Sequence, residues 1–362
     1  MASKVFFAPL TPGESSARID EKVARLFDAA GFIDLVAEGD LVALKIHFGE
    51  EGNHNFIRPA WLRSLIARLQ ARKTKPFWTE TSTLYAGERA NAADHALLAH
   101  RHGFGIEATG IPTLFSDGLT GRDEIEVALP QLGGKSVRVA QGLANTNALL
   151  ALSHATGHVA AGFGCALKNL GMGLSSRKGK LYQHAVVRPF VNEADCRGCG
   201  VCAKWCPVSA IDLGADGCAA IDPDTCIGCG ECLACCRADA VTFEWASQST
   251  LMQERMIEQA AGIIELMKSR IGYMNFIHDV GRECDCAPSS KQDVLIDALG
   301  ILASSDPVAI ERATIDLIEA RLGGSLRHHA YDIDFSVQID RAEKLGLGTR
   351  DYELIDVERE GG

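Results

Sequence analysis

Apolar and polar positions along the chain fall into short blocks that switch between the two-residue period of strands and the 3.6-residue period of helices. Dense apolar runs predict strands at Lys4–Pro9, Leu41–Phe48, Lys75–Thr81, Thr113–Ser116, Ser136–Ala140 and Ala148–Ser153. Stripes at helical spacing predict helices over Ser16–Ala30, Pro59–Arg72 and Ala90–His102. The pattern resumes late in the chain with a helix over Gln248–Arg270, a strand at Tyr273–His278 and a helix over Pro307–Arg321 capped by Asp306. A terminal helix and strand then run to Val357. This alternation predicts an α/β domain on a mostly parallel sheet. The stretch 191–245 breaks it, so the expected organisation is a discontinuous domain of residues 1–190 plus 246–362 with a small α+β module inserted at 191–245.

Composition narrows the function classes. The chain has 362 residues, 47% hydrophobic and 23% charged, the balance of a folded globular protein. Its net charge of -11 speaks against a nucleic-acid partner, because binding a polyanion needs clustered Lys and Arg. The first residues lack the pattern of a secretory signal. The long charge-free stretch from Arg138 to Lys168 is interrupted by Gln141, Asn145, Asn147, His154 and His158, so no membrane span is expected. A cytoplasmic location follows as an expectation. Thirteen cysteines in a reducing compartment point to metal ligation rather than disulfides.

Their spacing sharpens that. Cys196-Arg-Gly-Cys199-Gly-Val-Cys202-Ala-Lys-Trp-Cys206-Pro207 is followed thirty residues later by Cys226-Ile-Gly-Cys229-Gly-Glu-Cys232-Leu-Ala-Cys235-Cys236. Gly198, Gly200, Ala210 and Ile211 recur as Gly228, Gly230, Ala240 and Val241, so the repeat is wider than its cysteines. The spacing is that of bacterial-type ferredoxins, which hold two 4Fe–4S clusters and give the last Cys of each run to the other cluster. The reading is therefore one cluster on Cys196, Cys199, Cys202 and Cys236, and a second on Cys226, Cys229, Cys232 and Cys206. A pair of zinc knuckles is the alternative, but zinc sites usually separate their Cys pairs by a longer loop. Arg237 stands where the second run would have Pro, and Cys235 and Cys218 read as packed thiols. Residues 191–245 carry nine Asp and Glu against three Lys and Arg, so the module is acidic before any cluster is counted.

Other segments invite chemistry less specifically. His47, Glu50, Glu51, Asn53 and His54 follow an apolar strand, where open α/β sheets gather ligands. His154, His158, Cys165, Lys168 and Asn169 lie in a Gly-rich, otherwise apolar segment, where a buried Lys needs an acceptor or a ligand. Cys284-Asp285-Cys286 offers two thiols one residue apart, suited to a metal or to a reactive dithiol. A third metal centre on Cys284 and Cys286, with Cys165 as a further thiol, is one expectation. Arg177, Lys178 and Lys180 miss the phosphate-loop count and read as an anion-binding loop or a solvated turn. The glycines near 162–171 miss the dinucleotide fingerprint.

The stretches Lys45-Ile-His47-Phe-Gly-Glu50, Thr81-x-Thr83-Leu-Tyr85 with Arg89, Gly157-His158 through Gly164, and Lys168-Asn169-Leu-Gly171-Met-Gly173 with Arg177 and Lys180 occur in order. Cys284-Asp285-Cys286, Gly300-Ile-Leu-Ala-Ser and Asp306-Pro307-Val follow. With these the chain resembles the family catalogued as domain of unknown function 362, often fused to a ferredoxin module. Cys165 stands where that family has Gly, and Leu174 where a Cys is common. The resemblance implies architecture and site candidates rather than a reaction.

Two functions compete, beside a third reading in which the clusters are structural. In one, an iron–sulfur oxidoreductase passes single electrons from two 4Fe–4S clusters to a small-molecule substrate or metal site lined by His47, His54, His158, Lys168, Asn169, Cys284 and Cys286. In the other, a non-enzymatic carrier or adaptor docks a redox partner protein. The roughly 300 residues beyond a minimal ferredoxin favour the first.

Overall fold

The computed structural model describes residues 2–184, 188–243, 249–268, 270–287 and 293–359. Eight strands form the central sheet: β1 (Ser3–Pro9), β2 (Leu41–Lys45), β3 (Lys75–Glu80), β4 (Thr113–Phe115), β5 (Ala148–His154), β6 (Ile271–Gly281), β7 (Val294–Ser304) and β8 (Tyr352–Asp356). Their spatial order is β8-β1-β7-β6-β5-β2-β3-β4. Only β7 runs against its neighbours, pairing antiparallel with β1 and β6, while every other neighbouring pair is parallel. The fold is thus α/β with a large, mostly parallel sheet, as the alternation of elements predicts.

Burial on both faces explains the sequence of the central strands. All seven residues of β5 are buried. Leu149 and Ala151 enter one apolar core, and Ala148, Leu150 and Leu152 the other. The helices Ser16–Ala29 and Arg63–Ala71 cover the second face, while Ala166–Gly171, Ser249–Met267 and Pro307–Leu322 cover the first. Asp306 caps the last of these, accepting from the N–H groups of Val308 and Ala309 at 2.8 and 2.9 Å.

Three sequence expectations are corrected. The eleven-residue strand β7 is absent from the predicted elements, and it makes β6 and β7 a long antiparallel hairpin whose connection carries Cys284-Asp285-Cys286. The predicted strand at Ser136–Ala140 exists as Lys135–Ala140 but pairs with Glu124–Leu129 in a separate hairpin. Arg177–His184 is a helix with Arg177 and Lys180 buried, neither a loop nor a solvated turn.

Between Phe190 and Phe243 the chain forms small units. Phe190–Val191 pairs with Val241–Thr242, bringing the two ends of the segment together, and Ile211–Leu213 pairs with Ala219–Ile221. Each cysteine run is a loop followed by a one-turn helix, Val201–Trp205 in the first and Glu231–Cys235 in the second. The backbone repeats with the sequence. Gly200 and Gly230 take φ of 68° and 77°, and Ser209 and Asp239 take 53° and 52°. Residues 244 to 248, where the module is expected to end and the next helix to begin, lie outside the described residues.

Candidate functional site

The last residues of β2, β3 and β5 are Lys45, Glu80 and His154, and all three line one cavity of about 310 Å³. This is the carboxyl end of the parallel strands, where loops leave the sheet and can converge. Of the residues singled out in the sequence, His47, His158, Lys168, Asn169, Cys284 and Cys286 line this cavity, with Cys165. His54 does not: it is exposed, although it is only seven residues from His47.

One wall is a network of buried charges. The Lys45 ammonium contacts Glu80 Oε1 and donates to Asn169 Oδ1, both at 2.8 Å. Arg89 donates to Glu50 Oε2 at 2.9 Å and places Nη1 2.8 Å from His47 Nε2. The Gly49 N–H donates to His47 Nδ1 at 2.9 Å. Donors facing both ring nitrogens oppose a second proton on His47, and burial, then the Arg89 charge, push its pKa well below the ordinary value. Burial also pulls Lys45 below its ordinary range, against the pull of Glu80.

The opposite wall holds a second pair. His154 Nδ1 donates to Asp285 at 2.9 Å, and its Nε2 lies 2.6 Å from the His278 carbonyl. Both partners are acceptors, so the ring carries both protons and the charge. Burial works against that charge, but Asp285 and the carbonyl outweigh it and the His154 pKa is raised. The Asp285 carboxyl stays below its ordinary range because His154 outweighs its burial. The ion pair fastens the Cys284–Cys286 connection to the end of β5.

Two cations lack a carboxylate partner at bonding distance. Lys180 donates to Thr81 Oγ1 at 2.6 Å and to the Ser82 carbonyl at 2.5 Å, and burial brings its pKa down to about 8. The Lys168 ammonium makes no hydrogen bond or ion pair with the described residues, and burial brings it to about 8 as well. Lys168 is half-buried at the cavity wall, and none of the described residues supplies its ammonium with an acceptor. Gly164 gives Lys168 its room, since a Cβ there would sit 2.5 Å from Lys168 Cδ.

Sulfur lines the cavity too. Cys284 and Cys286 form a disulfide with Cα atoms 5.2 Å apart. A ring nitrogen of His158 and the two sulfurs all lie within 4.8 Å of one another, the only such triad of metal-type donors among the described residues. Cys165 stands outside the triad, its thiol directed at the Ser153 carbonyl and pushed up by burial.

The cysteine runs build two further cavities. One is lined by Cys226, Cys229, Cys232 and Cys206, the other by Cys196, Cys199, Cys202 and Cys236. These eight sulfurs do not form triads within 4.8 Å. A single tetrahedral zinc, with Zn–S of about 2.3 Å, would draw its sulfurs to about 3.8 Å of each other. Leu84 connects this region to the large cavity: it lines that cavity and packs in the same apolar cluster as Cys232, Leu233 and Leu181. Arg177 spans the junction, holding Glu231 at 3.0 Å and donating to the Thr83 carbonyl at 3.1 Å.

The sequence alone leaves Glu80 and the His154–Asp285 pair without roles, and Lys180 only in an anion-binding loop. Glu80 sits at the end of an apolar strand, and that position was the available signal. The others become visible only when separate elements meet.

Comparison with known proteins adds context. The chain is 49% identical over 39 residues to the ketoisovalerate oxidoreductase subunit VorD of Pyrococcus furiosus, a match covering 11% of this chain and 37% of that one. Among solved structures, the lactate racemase apoprotein of Thermoanaerobacterium thermosaccharolyticum aligns with TM-score 0.42 and 11% identity, over 85% of this chain and 55% of that one. A structural-genomics target from Thermotoga maritima aligns with TM-score 0.42 and 10% identity, over 87% and 61%. The chain therefore spans less than two thirds of each of these proteins. The family described as "Domain of unknown function (DUF362)" matches residues 42–316, a range that takes in most of β2, all of β3 to β7, the cysteine runs and Cys284-Asp285-Cys286, and the chain belongs to that family.

Proposed function

We propose that the chain is an iron–sulfur oxidoreductase. A module of residues 191–245 binds two 4Fe–4S clusters, one on Cys196, Cys199, Cys202 and Cys236, the other on Cys226, Cys229, Cys232 and Cys206. Residues 1–190 with 246–362 form the domain that holds the substrate. The observation that carries this reading is the pairing of two four-thiol cavities with a third, cation-lined cavity that shares Leu84 with the module's packing. The donor sets fit the group: four sulfurs each, spread wider than one ion needs, with an N–H such as Ala210 donating to Cys206 Sγ at 3.2 Å. Clusters held there would supply one-electron transfer at a potential set by hydrogen bonding, charge and exposure.

The protein's own residues select the substrate class. Lys168 and Lys180, lacking carboxylate partners, favour a small anion such as a carboxylate or phosphate ester, and the cavity has room for little more. Lys168, at about 8, is charged enough at neutral pH to bind that anion and acidic enough to give it a proton. Neutral His47 and Asn169 hold neighbouring hydrogen-bonding positions. His54, exposed and away from the cavity, has no part in the proposal. A redox partner protein would deliver electrons at the exposed side of the module, where Cys199 reaches the surface. Thiolate ligands persist best in a reducing compartment, which keeps the cytoplasm as the proposed location.

The test is re-oxidation of chemically reduced protein by a panel of small carboxylates and phosphate esters, followed by visible absorbance without oxygen. An active acceptor should re-oxidise the native protein. It should fail with Lys168→Gln while reduction itself is unchanged. Equal re-oxidation of both proteins would favour the carrier or adaptor reading instead.

A further inference from the structure

Cys284 and Cys286 are singled out by their place rather than by their spacing. They sit in the connection between β6 and β7, line the large cavity, and have Cα atoms at a separation ordinary for a disulfide. Three donors within 4.8 Å invite a metal ion, and the hydrogen bonds of His158 argue against one. Its Nδ1 accepts from the N–H groups of Ala160 and Ala161 at 3.1 and 3.0 Å. One ring nitrogen is thereby taken, and the proton of the neutral ring sits on the other. Metal-bound histidines have the opposite arrangement, with the free nitrogen donating its N–H to an acceptor. Held this way, the ring nitrogen left over carries an N–H and no lone pair for a metal.

The connection is also anchored by contacts made away from the two sulfurs. Asp285, between the two cysteines, turns its carboxylate to His154. Asn53 Nδ2 donates to the Ala287 carbonyl at 3.2 Å. Gly157 lets the Arg282 carbonyl approach so closely that a Cβ would stand 2.2 Å from it. None of these contacts uses a sulfur, so the backbone is held whether the S–S bond is made or broken. In a reducing compartment a disulfide is usually transient and catalytic or redox-sensing.

We infer that Cys284 and Cys286 are a redox-active disulfide that collects two electrons from the iron–sulfur module and offers them, as a dithiol, to the molecule in the cavity. This rests on the iron–sulfur reading above. The S–S bond breaks as it takes up two electrons, one at a time, and two protons complete two S–H bonds. The electrons originate from a one-electron donor protein that reduces the module. The pair closes again when it passes two electrons and two protons to a bound acceptor with a reducible bond. One-electron delivery is thereby matched to two-electron chemistry.

The experiment uses anaerobically purified protein equilibrated in dithiothreitol buffers of graded potential. Thiols are trapped by alkylation, and the peptide carrying Cys284 and Cys286 is weighed. The expected result is a reversible transition between zero and two labels, the ratio changing tenfold per about 30 mV as a two-electron couple requires. Cys284→Ser should abolish it. In a second arm the module is photoreduced without added thiol, and the peptide should gain two labels as visible absorbance bleaches. Two labels at every potential, or a stoichiometric metal released by Cys286→Ser, overturns the inference. So does bleaching without labelling, which leaves the iron–sulfur reading standing. A thiol transition in protein devoid of iron and sulfide refutes that parent reading, and with it the source of the electrons.

Discussion

The two halves of the cysteine repeat share a turn, Cys199-Gly200-Val201-Cys202 in one and Cys229-Gly230-Glu231-Cys232 in the other, but not their surroundings. Val201 is 38% exposed, whereas Glu231 is 1% exposed and paired with Arg177 and Arg122. A Cβ on Gly230 would meet Leu84 at 2.9 Å and Arg177 at 3.1 Å, while one on Gly200 would meet only Leu213, at 3.3 Å, within its own module. Four thiols line each cavity, so the donor sets do not tell the halves apart. Neighbours do. The second half packs against Leu84 and Arg177 beside the cation-lined cavity, whereas Val201 and Trp205 of the first half border a separate cavity with residues 86–94. On the proposed function the second half is the expected point of electron exit and the first of entry.

That assignment can be broken by removing one half at a time. Cys229→Ser and Cys199→Ser should each lose about four irons, the content of one cubane. With a small chemical reductant, which needs no docking face, Cys199→Ser should still deliver electrons to an acceptor in the cavity. Cys229→Ser should deliver none. Anaerobic stopped-flow absorbance checks both, and equal behaviour of the two variants would erase the distinction between entry and exit.

A smaller but still large effect is expected on stability. Glu231→Ala leaves the Arg177 guanidinium buried without its carboxylate, and breaking a buried pair costs about 3–5 kcal/mol. Val201→Ala, at the equivalent exposed position, should change stability by about 0.5 kcal/mol or less. Anaerobic denaturant titration of the two variants measures the contrast.

The His154–Asp285 pair gives a pH-dependent version of the same test. The His154 pKa is raised above its ordinary 6.5, so its stabilisation is complete below that value and is lost as pH rises through the folded pKa. Asp285 is depressed below its ordinary 3.8, so its stabilisation is complete above that value and is lost as pH falls through the folded pKa. Both contributions are present together between these two ordinary values. Asp285→Asn should therefore lower the denaturation midpoint most near pH 5.5 and less at pH 8.5. A loss independent of pH would mean that the pair is not ionised.

The smallest effect concerns rate rather than stability. If the Lys168 ammonium binds and protonates the acceptor, re-oxidation should fall by about half as pH rises to about 8. In Lys168→Gln the slow residual rate should lose that alkaline limb.

How much of this was legible in the sequence follows from how local each feature is. The cysteine runs could be read directly because three donors of each set lie within seven residues of one another. The strands β1, β2, β3 and β5 could be read because burial on both faces leaves dense apolar runs. Strand β7 was hidden by Asp297 and Gly300, which interrupt its pattern. Gly300 is there because a Cβ would meet Phe7 Cε2 at 2.2 Å and the Ala8 carbonyl at 2.8 Å on the neighbouring strand. The Arg177–Lys180 run looked like a polar loop, yet its charges turn inward to Glu231, Thr81 and the Ser82 carbonyl. Gly179 marks a close helix–strand approach, since a Cβ there would stand 2.5 Å from the Arg138 carbonyl. His47 and His54 looked like one constellation because they are near in sequence. In the fold, His47 meets Arg89, forty-two residues away, and His54 meets solvent.

If two iron–sulfur clusters feed the cavity at the ends of β2, β3 and β5, the metal content of the protein will show it. Iron, acid-labile sulfide and zinc should be measured per chain on protein purified without oxygen. The account predicts about eight irons and eight sulfides with no stoichiometric zinc. Two zinc ions and no sulfide would contradict it, leaving the cysteine module a structural element and the cavity without its electron source.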